Sequence, residues 1–280
     1  MFFRSFFRTF TSLRAMKVGC TRKKTNLYLL FSLICTTFVG MKRVVLTLLL
    51  LGNLILTLPA EAGKPLTGFL QKWEAKTVVT DEEVKRAGLE NCFTAEPLSD
   101  ATFQRMQGKS WKKDCPLDRN ELRYLRMLHR NAEGRTQLGE MVVNTKIAER
   151  VLRIFRKLYE AGYRIERMVL VDDYDGDDVR SMEDNNTSSF NYRTVPGQQK
   201  LSNHARGLAI DLNTRYNPYV TKRGVSPRNG RAYAFNRDRR KDIPYKIDHN
   251  DLAYKLFKAE GFSWGGDWRS SKDYQHFDYK

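Results

Sequence analysis

Four stretches of the chain predict helices: three repeat hydrophobic residues at three- and four-residue spacing, and 80–88 is weakly periodic but carries a capping pattern. The clearest is 144–162, where a glycine follows the last apolar position as a stop signal. In 80–88 and in 118–131, a Thr or Asp stands three residues before a Glu, the pattern of an N-terminal capping box. The fourth predicted helix lies in 248–261 and takes Asp248 as its N-cap.

Strand-like runs of alternating or β-branched residues separate these helices. They occupy 164–174, 188–195, 207–213 and 273–279. The acidic stretch after residue 172 lacks a period and predicts a surface loop, and 215–247 predicts a long excursion or lid. The mixed order of helices and strands predicts an α+β fold, with a small, mostly antiparallel sheet and flanking helices.

The first 62 residues predict a targeting leader, because they hold nine Lys and Arg and a single acidic residue. Within 41–62, a basic start, an apolar run and a small-residue cleavage site follow one another, as in a secretory signal peptide. The alternative is a membrane anchor, although each apolar run is shorter than the roughly 20 residues of a spanning helix. After the leader we expect an N-terminal extension over 63–116 and the functional domain over 117–280.

The net charge indicates which partners the protein could bind, and the cysteines indicate whether disulfides or cysteine metal sites are expected. Residues 63–280 keep an excess of Lys and Arg, which suits anionic partners such as cell-wall polymers. A basic nucleic-acid-binding protein is the rival interpretation, but no nucleic-acid motif accompanies the charge. Cys92 and Cys115 remain after the leader and form either one disulfide or two free thiols. No CxxC pair supports a cysteine-only metal site.

The run "SNHARGLAIDLN" carries the first candidate chemistry. Alternation along a strand turns Ile210 and its apolar neighbours to one face and Asp211 to the other. Gly207 permits a turn that brings His204 toward Asp211, and a His and an Asp at one point form half of a zinc site. The alternatives are an ordinary loop histidine and a carboxylate that caps or pairs without a metal. Ser202 either orients a ligand or caps the turn.

The last strand-like run, "DYQHFDY", offers the remaining groups. His276 is the third candidate ligand for one zinc ion, and Asp273 can approach a water activated by the ion without ligating it. Asp273 would then act as the general base, unless it is a plain turn residue. The other histidines, His129 and His249, are interpreted as surface residues of helices. Trp264 and Trp268 are expected to be cleft-wall or core aromatics.

Together, "NNTSSFNYR", "SNHARGLAIDLN", "GFSWGGDW" and "DYQHF" resemble the M15 metallopeptidases over roughly residues 140–280. This family contains D-alanyl-D-alanine carboxypeptidases and L-alanyl-D-glutamate endopeptidases, and the resemblance implies a Hedgehog/DD-peptidase-like fold. It implies zinc ligation by His204, Asp211 and His276 and a general base at Asp273, where some relatives carry Glu. It also implies a substrate-binding arginine, for which Arg193 is the candidate.

Two uncertainties concern that arginine. Arg180 and Arg206 lie near it in the sequence, and Arg193 is alternatively a structural ion-pair partner of the acids in 172–184.

The resemblance implies an exported, zinc-dependent peptidase that hydrolyses peptidoglycan stem peptides, either as a DD-carboxypeptidase or as an L-Ala-D-Glu endopeptidase. We expect a secreted hydrolase that works as a monomer on cell-wall peptides, without nucleic acid and without stable membrane insertion after leader cleavage. The alternative function is a non-catalytic, zinc-binding cell-envelope module of the same fold.

Overall fold

The computed structural model describes residues 68–195 and 199–280. The predicted leader, 1–62, and its signal peptide, 41–62, lie outside the described residues. Within the described ranges, no helix is both long enough and apolar enough to cross a membrane.

The described chain is an α+β fold, which confirms the predicted class. Its helices are α1 (Asp81–Ala87), α2 (Asp100–Met106), α3 (Ala148–Glu160), α4 (Asp178–Glu183) and α5 (Leu252–Ala259). Its strands are β1 (Thr94–Pro97), β2 (Leu122–Arg130), β3 (Thr136–Asn144), β4 (Ala209–Asp211), β5 (Tyr219–Thr221), β6 (Gly224–Ser226), β7 (Ser263–Trp264), β8 (Lys272–Asp273) and β9 (His276–Asp278). In the described part these strands form small three-stranded antiparallel sheets, ordered β1-β2-β3, β4-β9-β7 and β6-β5-β8.

The helix predicted over 118–131 is wrong. Asp118 and Glu121 do form the capping box, but the chain makes only a 3-10 turn, Arg119–Glu121, before it extends into β2. β2 is the central strand of its sheet, and its apolar side chains enter hydrophobic clusters on both sides. Because both faces are buried, the apolar residues do not alternate, and their three-residue spacing imitates a helix.

The chain before residue 117 shares the core of the rest. β1 pairs with β2, and the indole nitrogen of Trp73 donates to the carbonyl of Gly139 at 3.0 Å. Helix α1 begins with the predicted capping box, in which the hydroxyl of Thr80 accepts from the amide of Glu83 and the carboxylate of Glu83 accepts from the amide of Thr80. Residues 68–116 therefore contribute one strand and several core side chains to the body that carries the site.

Helices α3 and α5 support the sheet that holds the candidate ligands. The predicted helix in 144–162 is confirmed as α3, which packs against β2 and α5. The predicted N-cap of α5 is wrong, because Asp251 and not Asp248 accepts the first amides of that helix. Phe257 of α5 stacks on Phe277 of β9, with ring centroids 4.1 Å apart. This contact fixes β9 against the hydrophobic core.

The strands predicted in 164–174 and 188–195 are also wrong. The first run ends in a 3-10 turn, Val171–Tyr174, and the second makes only isolated bridges such as Ser188 to Asp211. The predicted surface loop after residue 172 is partly buried and contains α4. The side chain of Asn186 bonds both the amide and the carbonyl of Val169 at 3.0 Å, so an amide group takes the place of a neighbouring strand.

The two described cysteines are free thiols. Cys92 is buried in the main hydrophobic cluster, and Cys115 packs against a second cluster. Of the two alternatives left by the sequence, the structure therefore has the free thiols.

Candidate metal centre and catalytic cleft

His204 is positioned by a tight turn before β4. The 3-10 turn His204–Arg206 ends at Gly207, whose φ of +65° is a left-handed conformation. A Cβ at this glycine would lie 2.7 Å from the amide nitrogen of Asn144, so the turn requires Gly here. The hydroxyl of Ser202 accepts from the amide of His204 at 3.2 Å. Ser202 thus caps the turn, one of the two roles considered for it.

Strand β4 carries Asp211 beside the last histidine. Ile210 and Leu212 enter the main hydrophobic cluster, as the alternation predicts. In the antiparallel pairing of β4 with β9, Asp211 is the direct partner of His276. The register of two short strands therefore brings together residues that are 65 positions apart in the chain.

The donor atoms of His204, Asp211 and His276 converge at a buried point. His204 Nε2 lies 3.2 Å from Asp211 Oδ2 and 3.2 Å from His276 Nδ1. His276 Nδ1 lies 3.0 Å from Asp211 Oδ1. Tetrahedral bonds of about 2.0–2.1 Å to a small ion separate neighbouring ligand atoms by roughly 3.3 Å. The three side chains are thus already spaced as ligands of a single ion, and they form a candidate metal-binding group in the described chain.

The tautomer of His204 is set by a backbone carbonyl. His204 Nδ1 lies 2.7 Å from the oxygen of Ser189, so Nδ1–H donates to that carbonyl. The lone pair of neutral His204 is then on Nε2, the atom that faces Asp211 and His276. Metal-ligating histidines are commonly oriented in this way by a second partner. Sequence reasoning missed Ser189 because its contribution is a backbone oxygen, which leaves no side-chain signal.

The buried cluster strongly perturbs the ionisation of its members. Burial opposes the charge on Asp211, but the bonds and charges of His204 and His276 outweigh it and hold the pKa of Asp211 well below its usual range. Burial likewise opposes a charge on His276, but the hydrogen bond and charge of Asp211 prevail and raise the pKa of His276 to about 9. Without a metal, the site therefore holds an ionised carboxylate next to a protonated imidazole.

Asp273 lies beside the cluster on a different sheet. In β8 it is the direct partner of Tyr219 in β5, so the 215–247 segment helps to position it. Its Oδ1 is buried and has no hydrogen-bond partner among the described residues. Burial raises the pKa of Asp273 to about 7. A carboxyl group with a pKa near neutrality can both accept and return a proton at physiological pH.

Gly265 of the "WGG" turn lies close to both Asp273 and His276. A Cβ at Gly265 would lie 2.6 Å from the carbonyl oxygen of Asp273 and 3.2 Å from the Cβ of His276. Trp264 is a core residue, and its indole nitrogen donates to the carbonyl of Tyr274 at 2.9 Å. Trp268 lines the cleft, with its ring centroid 5.4 Å from that of His276. Trp264 is therefore a core aromatic and Trp268 a cleft-wall aromatic, the two roles expected for these residues.

A cleft of about 510 Å³ opens onto the cluster. The cleft is lined by α4, by residues 200–204 and by the β5–β6 hairpin within 215–247. The 215–247 segment, which was predicted to be an excursion or lid, is thus partly ordered into strands that shape the cleft. His204, Asp211, Asp273 and His276 all line this cleft.

Arg193 also lines the cleft, and it pairs with an acid of the preceding segment. Its Nη2 lies 2.7 Å from Asp178 Oδ2, and both side chains face the cleft. Arg193 is therefore an ion-pair partner of one of the acids in 172–184, and its place in the cleft leaves the predicted substrate-binding role as a proposal. Arg180 pairs instead with Asp175, and neither Arg180 nor Arg206 lines the cleft. Sequence reasoning missed Asp178 because its acidic surroundings are typical of a solvated loop.

The remaining histidines lie outside the cluster. His129 is not on a helix surface as predicted; it is buried in β2, with its Nδ1 2.7 Å from the carbonyl of Ile165. Burial lowers the pKa of His129 to about 4, so this imidazole is neutral and structural. His249 is exposed, as predicted, and its Nε2 lies 2.8 Å from Asp267.

Comparison with known proteins identifies the part of the chain that carries the site. Residues 196–279 match the M15 family model described as D-alanyl-D-alanine carboxypeptidase. No curated protein and no solved structure matches the chain. The matched range includes the His204 turn, β4, the 215–247 segment, the "WGG" turn and β9. The part of the chain that carries the candidate site, residues 196–279, is therefore similar to the M15 family of peptidases.

Proposed function

We propose that this chain is a zinc-dependent peptidase that hydrolyses peptidoglycan stem peptides, as a DD-carboxypeptidase or an L-Ala-D-Glu endopeptidase. The observation that carries the proposal is the buried His204–Asp211–His276 cluster with the unpartnered oxygen of Asp273 beside it. The family match to residues 196–279 supports hydrolysis of peptides. We further propose that the protein acts after export, in the periplasm, cell envelope or medium, and as a monomer.

The donor set of the cluster fits zinc. Two imidazole nitrogens and one carboxylate, all buried, match the ligands of catalytic zinc sites, which keep one position open for water or substrate. The bond from His204 to the carbonyl of Ser189 supplies the outer partner that such sites generally have. A zinc ion held here would supply Lewis acidity for the scissile carbonyl and for the attacking water.

Asp273 and Arg193 perform the remaining steps in this proposal. Asp273 Oδ1 accepts the proton of the attacking water and returns it to the leaving amine nitrogen, which its raised pKa permits. The guanidinium of Arg193 binds the carboxylate of the substrate or the charge that develops on the carbonyl oxygen. Asp178 holds that guanidinium in the cleft through the 2.7 Å ion pair.

Digestion of purified muropeptides tests the proposed function. The protein lacking residues 1–62 is incubated with muropeptides, with and without a metal chelator, and the products are identified by mass. Loss of a terminal D-Ala indicates the carboxypeptidase, and cleavage between L-Ala and D-Glu indicates the endopeptidase. A digest without any chelator-sensitive product contradicts the proposal and favours the non-catalytic module.

The raised pKa of His276 predicts that zinc binding releases a proton. In the metal-free protein His276 stays protonated up to about pH 9, whereas a ligand nitrogen must be neutral. Each ion bound at pH 7 should therefore displace about one proton from His276, and the apparent affinity should rise about tenfold per pH unit until that pKa is reached. Calorimetry in buffers of different ionisation enthalpy measures the proton count. An affinity that is constant from pH 7 to 9 contradicts this account.

The close approach at Gly265 predicts a selective effect of Gly265→Ala. The added methyl group would collide with Asp273 and His276, and it should lower kcat about tenfold or more because small displacements of catalytic groups are costly. The matched control is Gly162→Ala, where the backbone is left-handed but no atom lies within 4 Å of the added Cβ. Both variants should lose stability, and only Gly265→Ala should lose turnover. Equal kcat values for the two variants would show that the turn does not position Asp273.

A further inference from the structure

Gln275, which lies between Asp273 and His276 in the sequence, lines the cleft and has no role in the proposed chemistry. Its side chain is only 2% exposed, yet it lines the cleft. Its Nε2 donates to the sulfur of Met182 at 3.3 Å, whereas its Oε1 is buried and has no partner in the described residues. Buried carbonyl oxygens are nearly always hydrogen-bonded, so an unpartnered one on a residue that lines a cleft suggests a donor that arrives with a ligand.

Several other polar side chains of the cleft are already engaged. The hydroxyl of Ser202 accepts from the amide of His204, and the hydroxyl of Thr221 accepts from the amide of Arg223. Asp178 pairs with Arg193, and Asp278 accepts from the amide group of Asn203 at 2.9 Å. Gln275 Oε1 is an uncharged acceptor without a hydrogen-bond partner in the described chain, and its residue lines the cleft together with the candidate ligands and Asp273.

The chemistry of this acceptor indicates its ligand. A neutral amide oxygen is suited to an uncharged N–H donor, whereas a substrate ammonium group would favour the carboxylates of the cleft. The backbone of a peptide offers one such N–H at each peptide bond. The oxygens of the same backbone have donors elsewhere, including Arg193, whose Nε is also buried without a partner in the described chain.

We propose that Gln275 Oε1 binds a backbone N–H of the peptide substrate, at a peptide bond next to the one that is cleaved. Gln275 is then a substrate-positioning residue, which holds the scissile bond between the ligand cluster and Asp273. The inference rests on the proposed peptidase function and adds a backbone contact to it. It predicts that the enzyme prefers a peptide over an isosteric ester at one defined position outside the scissile bond.

Ester-substituted stem peptides test this contact. In each analogue one non-scissile N–H is replaced by oxygen, and kcat/KM is compared with that of the parent peptide. In the unaltered protein one replacement should lower kcat/KM about tenfold, the size expected for one hydrogen bond between uncharged groups. In Gln275→Met, which keeps the packing against Met182, the parent peptide and that analogue should be cleaved alike. The ratio compares two substrates on one protein, so it does not depend on the folded fraction.

Controls separate this inference from the proposed function. Gln104→Met, on the exposed side of α2, should keep the tenfold preference. Calorimetry with the Asp273→Asn protein measures the affinity of the parent peptide and of each ester analogue, so it detects the contact in the absence of hydrolysis. If no parent peptide is cleaved but the affinity difference is found, the proposed function fails and the contact stands. The contact itself is contradicted if no ester weakens cleavage or binding by the unaltered protein, or if Gln275→Met keeps the same preference.

Discussion

Replacement of Asp273 by asparagine is expected to lower kcat by a factor of about 10²–10⁴, the usual contribution of a general acid–base group. The amide has the shape of the carboxyl group but cannot accept the proton of the attacking water. Because His204, Asp211 and His276 are unchanged, the variant should still bind one equivalent of zinc. The measurements are kcat on the muropeptide that the unaltered protein cleaves, and the metal content of both proteins.

The matched control for this prediction is Asp267→Asn, the same change in the neighbouring turn. Asp267 contacts the exposed His249 and does not line the cleft, so its loss should leave kcat within a factor of about two, as for other surface substitutions. If Asp273→Asn kept normal turnover, Asp273 would not be the general base. If it lost zinc together with activity, its role would be structural support of the cluster.

Removal of a candidate ligand should abolish both metal binding and hydrolysis. In His204→Gln the nitrogen that faces Asp211 and His276 is lost, and the remaining two residues cannot retain the ion. Activity should fall by more than about 100-fold, the upper range for changes to outer-shell partners of a metal site. Equilibrium dialysis with zinc and the rate of peptide hydrolysis are the measurements.

His249→Gln is the control for this second prediction, because it makes the same change at an exposed histidine. Its side chain is 66% exposed, and the residues that it contacts in the described chain, Asp267, Tyr254 and Trp264, are not candidate ligands, so zinc content and activity should not change. If both histidine variants retained full zinc content, the cluster formed by His204, Asp211 and His276 would not be the metal site.

The sequence was informative where local rules determine the structure. Helix α1 follows from its capping box and α3 from its apolar spacing and its glycine stop, and both are present. The meeting of His204 with Asp211 follows from strand alternation and from a glycine turn. The position of His276 in the last strand-like run suggested that it joins His204 and Asp211. The β4–β9 register places it directly opposite Asp211.

The sequence-based predictions were wrong where contacts between residues far apart in the chain determine the local structure. Strand β2 has the caps and spacing of a helix, but pairing on both edges makes it a strand. The strands predicted within 164–195 do not form, because side chains such as that of Asn186 make the backbone hydrogen bonds that a neighbouring strand would otherwise make. The pairing of Arg193 with Asp178 and the open oxygen of Gln275 depend on the assembled cleft, and no local pattern encodes them.

The central claim is that one zinc ion, held by His204, Asp211 and His276, is required for peptide hydrolysis. Its most direct test is titration of the chelator-treated protein with zinc while the rate of muropeptide cleavage is followed. The account predicts no cleavage without metal, a linear rise in rate, and a plateau at one equivalent of zinc. Full activity of the metal-free protein, or a plateau unrelated to one equivalent, would contradict it.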